Sequence, residues 1–173
     1  MNSDEKTSEP LELEAVFGYA SDRGLRRELN EDSLIAADPV FAVADGMGGH
    51  EAGEIASSIC VRTLADSRLV GEHLPEVPAA EIEELLAKAD RQIREATGGR
   101  AGTTLTGAIL VQEESRPYWL VFNVGDSRTY RVSRGAMEQI TVDHSEVQEL
   151  VDLGQITPEE ALVHPRRHVV TRA

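Results

Sequence analysis

The sequence has little of three features that define large classes of protein. It contains one cysteine, Cys60, which excludes an internal disulfide framework. No apolar run approaches the length of a membrane span, and residues 1–10 are too polar for the core of a signal peptide. Basic residues number 17 against 31 acidic ones, and the net charge of -14 argues against nucleic acid or an anionic membrane as a partner. These absences predict a cytoplasmic protein, and 173 residues suffice for one domain with a buried core.

The spacing of apolar residues predicts a mixed domain after a disordered lead-in at residues 1–12, which are rich in Ser, Glu, Asp and Lys. Strands are predicted at 16–20, 33–36, 40–44, 103–111, 118–124, 128–133 and 137–141. Helices are predicted at 51–68 and 79–97, in a short segment after residue 143, and from a capping box at 157–160. Cys60 falls on the apolar face of the first helix and is expected in the core. The order of elements predicts an α+β layered domain.

Residues 44–50, with the sequence ADGMGGH, follow an apolar strand and precede a helix. Asp45 therefore lies at a strand end, and Gly46 lets the backbone turn so that a carbonyl oxygen can face the same side. A carboxylate and a backbone oxygen from adjacent residues suit a hard divalent cation such as Mg²⁺ or Mn²⁺. An ordinary strand-to-helix turn with Asp45 as a cap fits the same letters, so the neighbouring motifs have to decide.

Two further acidic motifs adjoin predicted strands, RELNEDS at 27–33 and NVGDSR at 123–128. Together with ADG, and in this order, they resemble the PPM family of metal-dependent serine/threonine protein phosphatases (type 2C). The bacterial branch is the better match, because SDRG at 21–24 precedes NEDS and because DHS, HP and TRA follow between 143 and 173. The resemblance extends over roughly residues 14 to 173, and so many motifs in the correct order make coincidence improbable.

The resemblance implies an α-β-β-α sandwich, in which helices flank two mostly antiparallel sheets. Residues 13–173 would form roughly the N-terminal two-thirds of this domain, with a flap-like segment at about 143–168 that borders the cleft. The implied activity is hydrolysis of phosphoserine and phosphothreonine in proteins by a metal-activated water. The full-length family site holds two Mn²⁺ or Mg²⁺ ions, and the implied partners are phosphorylated proteins, including serine/threonine kinases and their substrates.

The resemblance also implies a set of metal ligands. Asp45 should bridge the two metals, and Gly46 should contribute its carbonyl oxygen. Glu31 and Asp32 should hold metal-bound waters or support the ligands, although alone they would fit a solvated acidic turn. Asp126 resembles an aspartate that some bacterial members use for a third metal. The alternative for Asp126 is a turn residue that bonds to its own backbone.

Arg27 lies four residues before Glu31, the spacing at which the family places its phosphate-binding arginine. A planar guanidinium can bind two phosphate oxygens at once. Arg27, as the phosphate-binding residue, and Asp45, as the residue that bridges the metals, are therefore the expected catalytic residues. Arg23 and Arg26 are nearby alternatives.

No general acid is assigned, because Met47 stands where many eukaryotic members carry a histidine. The remaining candidates are expected to be structural, surface or loop residues: His50, His144, His164 and His168. Thr103 and Thr104 belong to the family pattern and are expected to be buried strand residues.

Two later motifs of the family, a Ser-Asp-Gly turn and an Asp-Asn pair, are absent from these 173 residues. Each normally supplies an aspartate to the metal pair, so the resemblance implies a truncated chain that binds one cation or none and is nearly inactive. The missing strands would leave apolar surface and strand edges uncovered, which favours a dimer. The alternative is a non-catalytic remnant that acts as a binding or regulatory module.

Overall fold

A computed structural model describes residues 15–49, 52–71, 77–113 and 116–173. The lead-in predicted at residues 1–12 and His50 lie outside these ranges. The strands are β1 (Asp32–Ala37), β2 (Val40–Gly48), β3 (Ala101–Thr103), β4 (Leu105–Glu113), β5 (Arg116–Val124), β6 (Tyr130–Ser133) and β7 (Ala136–Gln139). The helices are α1 (Ala52–Ala65), α2 (Ala79–Thr97), α3 (Glu146–Asp152) and α4 (Pro158–Val163). None of the helices in the described ranges is long and apolar enough to cross a membrane.

The main sheet is antiparallel, with its strands in the order β1-β2-β4-β5. Strand β2 has different neighbours along its length: Val40–Val43 pair with β4, whereas Gly46–Gly48 pair with β3. Strands β6 and β7 form a separate antiparallel hairpin. The predicted α+β class with two antiparallel sheets is therefore confirmed.

The core lies between the main sheet and helices α1 and α2. Alternate residues of β2, including Val40 and Ala44, are fully buried, as period-two burial of one sheet face requires. Helix α1 contributes Cys60 and Leu64 to the same cluster, so the predicted core position of Cys60 is confirmed. The other sheet face carries an aromatic contact between Phe41 and Trp119 and leaves Trp119 half exposed.

The strand predicted at 16–20 was wrong, because residues 15–31 form neither helix nor strand. The Phe17 ring packs edge-on against Phe41, with ring centroids 5.0 Å apart, while Val16 is 94% exposed. Alternating apolar residues indicate a strand only where another strand offers backbone partners, and this segment makes a side-chain contact instead.

The two long helices were predicted closely. Helix α2 has the expected bounds and ends at Gly98 in the left-handed conformation (φ 63°), where its N–H donates to the Arg94 carbonyl. Helix α1 ends at Ala65, earlier than the predicted residue 68. Thr157 and Glu160 form the expected capping box at the start of α4.

Candidate metal centre

Asp45 lies at the point where β2 exchanges one partner strand for another. Its carbonyl oxygen accepts hydrogen bonds from the Thr104 N–H (2.9 Å) and the Thr103 hydroxyl (3.0 Å). Its own N–H donates to the Thr104 hydroxyl (3.3 Å). Both backbone groups of Asp45 are therefore paired, and its side chain projects from a fixed piece of main chain.

Three aspartates bring their charges together at this strand end. Asp32 is the direct cross-strand partner of Asp45 in the β1–β2 register. Partial burial, the charges of Asp32 and Asp126 and a hydrogen bond between the Asp32 and Asp45 side chains all raise the pKa of Asp45. Like charges directly opposite each other destabilise a sheet, so a bound cation would relieve a repulsion that the fold creates.

These donors fit a hydrated Mg²⁺ or Mn²⁺ better than a fully enclosed metal. In the described parts of the chain, no three His, Cys, Asp or Glu side chains are arranged closely enough to hold a metal by themselves. Mg²⁺ usually keeps several waters and binds through one or two carboxylates, and the cross-strand pair Asp45 and Asp32 offers two. The all-oxygen donor set is also the one that these hard cations prefer.

Glu31 packs against the first turn of helix α1. A Cβ atom added to Gly53 would lie 2.3 Å from Glu31 Oε1, so that oxygen occupies the space beside the glycine. Oε1 is buried without a hydrogen-bond partner, whereas Oε2 lies 3.8 Å from Arg27 Nη1. A buried carboxylate oxygen calls for a proton donor such as water, and this suits a residue that supports the site through water.

Gly46 has a packing role that the sequence did not reveal. A Cβ atom at this position would lie 2.0 Å from the Gly53 carbonyl oxygen and 2.8 Å from the Glu31 carbonyl oxygen. The Gly46 N–H donates to that Glu31 oxygen (3.1 Å), which also accepts from the Ser57 hydroxyl (2.6 Å). Gly46 therefore allows β2, the loop before β1 and helix α1 to meet at the backbone level.

Arg27 is the arginine whose charge influences the Asp45 carboxylate. Its side chain is 78% exposed, and its charge lowers the pKa of Asp45, against the stronger influences that raise it. Arg23 instead donates to the Glu28 carbonyl (3.3 Å) within its own loop. The guanidinium forms an ion pair with Glu31, but at 3.8 Å and 78% exposure it can still turn towards a ligand oxygen.

Asp126 lies in a loop whose backbone is held from two sides. The Gly125 N–H donates to His144 Nδ1 (3.2 Å), and the Gly125 carbonyl accepts from the His144 N–H (2.9 Å). Gly125 has a φ of +96°, and a Cβ atom there would lie 2.7 Å from the Thr104 side chain. Within the described residues, no hydrogen bond ties the Asp126 carboxylate to its own loop, so the turn alternative has no support from hydrogen bonding.

The segment at residues 143–168 borders this centre. A cleft of about 710 Å³ lies between Asp126 and helices α3 and α4. Arg128 and the buried Asp143 line this cleft, and Arg128 donates hydrogen bonds to both carboxylate oxygens of Asp143. These bonds raise the pKa of Arg128. Residues 143–168 thus begin at an ion pair between the buried Asp143 and the half-exposed Arg128, two residues after Asp126.

Several residues of this centre have roles that sequence reasoning missed. Thr103 and Thr104 are buried, as predicted, but they also hold the Asp45 backbone. His144 is half-buried and accepts a hydrogen bond from the loop that carries Asp126. The available signal was the run of hydroxyl residues at Thr103, Thr104 and Thr106 in a segment that is otherwise mostly apolar.

Comparison with known proteins identifies the family of this chain. A family model described as protein phosphatase 2C matches residues 26–171. The chain belongs to the protein phosphatase 2C family. Serine/threonine protein phosphatase PstP of Mycobacterium tuberculosis is 41% identical over an alignment of 173 positions, which covers 91% of this chain and 31% of that protein.

Solved structures of the protein phosphatase 2C family share the fold. The crystal structure of Mycobacterium tuberculosis PstP/Ppp has a TM-score of 0.76 and 39% sequence identity over 89% of this chain. A structure of the PstP catalytic domain in complex with two manganese ions has a TM-score of 0.69 and 37% identity. These matches cover 65% and 64% of the respective solved chains, so the 173 residues span less than two-thirds of those structures.

Proposed function

We propose that this chain is part of a metal-dependent phosphatase that hydrolyses phosphoserine and phosphothreonine in proteins. The observation that carries the proposal is the convergence of three aspartate charges at the end of β2, with the exposed Arg27 close enough to act on Asp45. Phosphate-monoester hydrolysis is very slow without catalysis, and a site for it has to supply a nucleophile and neutralise phosphoryl charge.

Each residue of the centre would have a distinct task. Asp45, with Asp32 and Asp126 beside it and the Gly46 carbonyl, would hold Mn²⁺ or Mg²⁺, and Glu31 would support the site through water. The guanidinium of Arg27 would bind two phosphate oxygens and orient the phosphoryl group. A bound divalent cation supplies an acidified water and neutralises phosphoryl charge.

We propose phosphorylated proteins as the substrates, including serine/threonine kinases and their targets, and the cytoplasm as the location. The net charge of -14 disfavours nucleic acid and anionic membranes as partners. A dimer that covers the exposed apolar face around Val43 and Trp119 is also proposed, because both side chains are about half exposed on one sheet face.

The first prediction concerns the 173-residue polypeptide by itself. We expect it to bind at most one Mn²⁺ and to release phosphate from a phosphothreonine peptide barely faster than an EDTA control. The reason is that Asp32, Asp45 and Asp126 furnish only part of a two-metal site. Extension to the full length of the solved relatives should restore Mn²⁺-dependent hydrolysis.

Either result of this assay is decisive. Full turnover by the 173 residues alone would contradict the expected shortage of ligands. An extended chain that binds phosphopeptide without hydrolysing it would favour the alternative, a non-catalytic binding or regulatory module.

The second prediction separates phosphate binding from metal binding. In the extended chain, Arg27→Ala should raise KM for a phosphopeptide roughly ten- to a hundredfold, because a charged bidentate contact contributes about 1.5–3 kcal/mol. Mn²⁺ affinity, measured by calorimetry, should stay within about twofold of the unsubstituted value, because Arg27 is no ligand. Arg26→Ala is the matched control and should leave KM unchanged. Equal losses of Mn²⁺ affinity and KM would instead assign Arg27 to the organisation of the metal centre.

A further inference from the structure

A pair of hydroxyl groups lies between the two main-chain segments that carry Asp45 and Asp126. Thr104 Oγ1 accepts the Asp45 N–H (3.3 Å) and lies 2.7 Å from Ser127 Oγ. Ser127 directly follows Asp126, and Thr104 is 1% exposed. One buried side chain therefore bonds to the backbone of one carboxylate residue and to the immediate neighbour of the other.

The position of Thr104 in the sheet makes this bridge possible. Thr104 is the single residue between β3 and β4, so the regular ladder along β2 is interrupted opposite Asp45. The Thr104 N–H still donates to the Asp45 carbonyl (2.9 Å), but the Thr104 side chain takes the place of a backbone acceptor for the Asp45 N–H. An interruption of this kind re-aims side chains at the edge of a site.

The Asp126 loop is pressed directly onto the same threonine. A Cβ atom at Gly125 would lie 2.7 Å from both Cβ and Cγ2 of Thr104. Gly125 is buried and has a φ of +96°. Only glycine readily adopts this conformation and lets the loop lie this close to Thr104. The loop thus lies against the Thr104 side chain at Gly125, and two residues later the Ser127 hydroxyl pairs with the Thr104 hydroxyl.

We propose that Thr104 is a positioning residue, which fixes the Asp126 loop relative to the Asp45 main chain so that both aspartates face one metal centre. The inference rests on the proposed metal-dependent function. It assigns to the Thr104–Ser127 hydroxyl pair a task different from that of the ligands, because neither hydroxyl has to touch the cation.

The test compares two substitutions at Thr104 with a matched control two residues further on, in β4. Thr104→Val keeps the shape and removes the hydroxyl, whereas Thr104→Ser keeps the hydroxyl. Thr106→Val is the control, because Thr106 is also buried and its hydroxyl lies 2.9 Å from that of Thr129, at the same sequence separation as Thr104 from Ser127.

Calorimetric titration of the full 173-residue chain with Mn²⁺ gives the first readout. Thr104→Val should weaken Mn²⁺ binding about 10- to 100-fold, the usual effect of losing a residue that orients metal ligands. Thr104→Ser should stay within about threefold of the unsubstituted chain, and Thr106→Val should not change the affinity. Ser127→Ala should weaken binding in the same direction, and its effect should not add to that of Thr104→Val, because both break one chain of hydrogen bonds.

Amide hydrogen exchange in the cation-free chain gives a second readout that does not depend on metal. The Asp45 amide should exchange at least about tenfold faster in Thr104→Val than in Thr106→Val, because only the former loses its acceptor. Equal Mn²⁺ affinities in Thr104→Val and Thr106→Val, or no rescue by Thr104→Ser, would overturn the positioning role while the proposed function stands. Failure of the unsubstituted 173-residue chain to bind Mn²⁺ would agree with the expected shortage of ligands, and the titrations would then be made on the extended chain. Failure of the extended chain to bind Mn²⁺ would count against the proposed metal chemistry, and the exchange rates would then decide the positioning role by themselves.

Discussion

Replacement of Asp45 by asparagine should weaken Mn²⁺ binding by at least about 100-fold, since even residues behind the ligands cost 10- to 100-fold. The substitution removes the charge at the point where the Asp32 and Asp126 charges converge, with little change in shape. In the presence of EDTA, the same substitution should raise the melting temperature, because it removes one of three mutually repelling carboxylates. Weaker Mn²⁺ binding together with a higher melting temperature in EDTA is the combination that identifies Asp45 as a metal ligand.

The pH dependence follows from the raised pKa of Asp45. In the folded chain this carboxyl holds its proton to a higher pH than the ordinary value of 3.8. Its contribution to the free energy of unfolding is therefore present below 3.8 and is lost as the pH rises through the raised value. The advantage of Asp45→Asn in EDTA should accordingly be largest at neutral pH and should shrink as the pH falls towards 4.

Thermal unfolding with and without Mn²⁺ checks both effects. Saturating Mn²⁺ should stabilise the unsubstituted chain but not Asp45→Asn, because only a folded state that binds the ion gains from it. Asp66→Asn, at an exposed aspartate after the end of α1, is the control for loss of one negative charge. Unchanged Mn²⁺ affinity in Asp45→Asn would show that the cation binds elsewhere.

Replacement of Gly46 by alanine should lower the free energy of unfolding by about 3 kcal/mol, at the upper end for overpacking. The added methyl group would meet the backbone of Gly53 and of Glu31, and neither is the flexible end of a side chain that could turn aside. Helix α1 would have to move away from β2. The melting temperature should fall by roughly 6–12 °C for a chain of this size.

Gly49→Ala is the matched control for this substitution, because a Cβ atom at Gly49 has no neighbour within 4 Å among the residues that the structure describes. Its unfolding free energy should stay within about 0.5 kcal/mol of the unsubstituted value in urea titrations. If Gly46→Ala were equally mild, the close contact between β2 and α1 would not be part of the folded state in solution.

The features that sequence reasoning predicted well are those in which all the information is local. Helix α2 has its predicted bounds because an apolar stripe at helical spacing ends at Gly98, which adopts the left-handed conformation. The start of α4 follows from the reciprocal capping of Thr157 and Glu160. The strand predicted at 16–20 failed because a strand also needs a partner, and the partner of Phe17 is an aromatic ring.

By itself, the sequence determined the two long helices, the family motifs and the residue types that suit a hard cation. Only the tertiary structure decided how these residues meet: that Asp32 lies opposite Asp45, that Glu31 lies against Gly53, and that Thr104 contacts the loop of Asp126. The physical reason is the range of the forces involved. Propensity and capping act over a few neighbouring residues, whereas strand register and close backbone contact join segments that are far apart in the chain and depend on how the whole core packs.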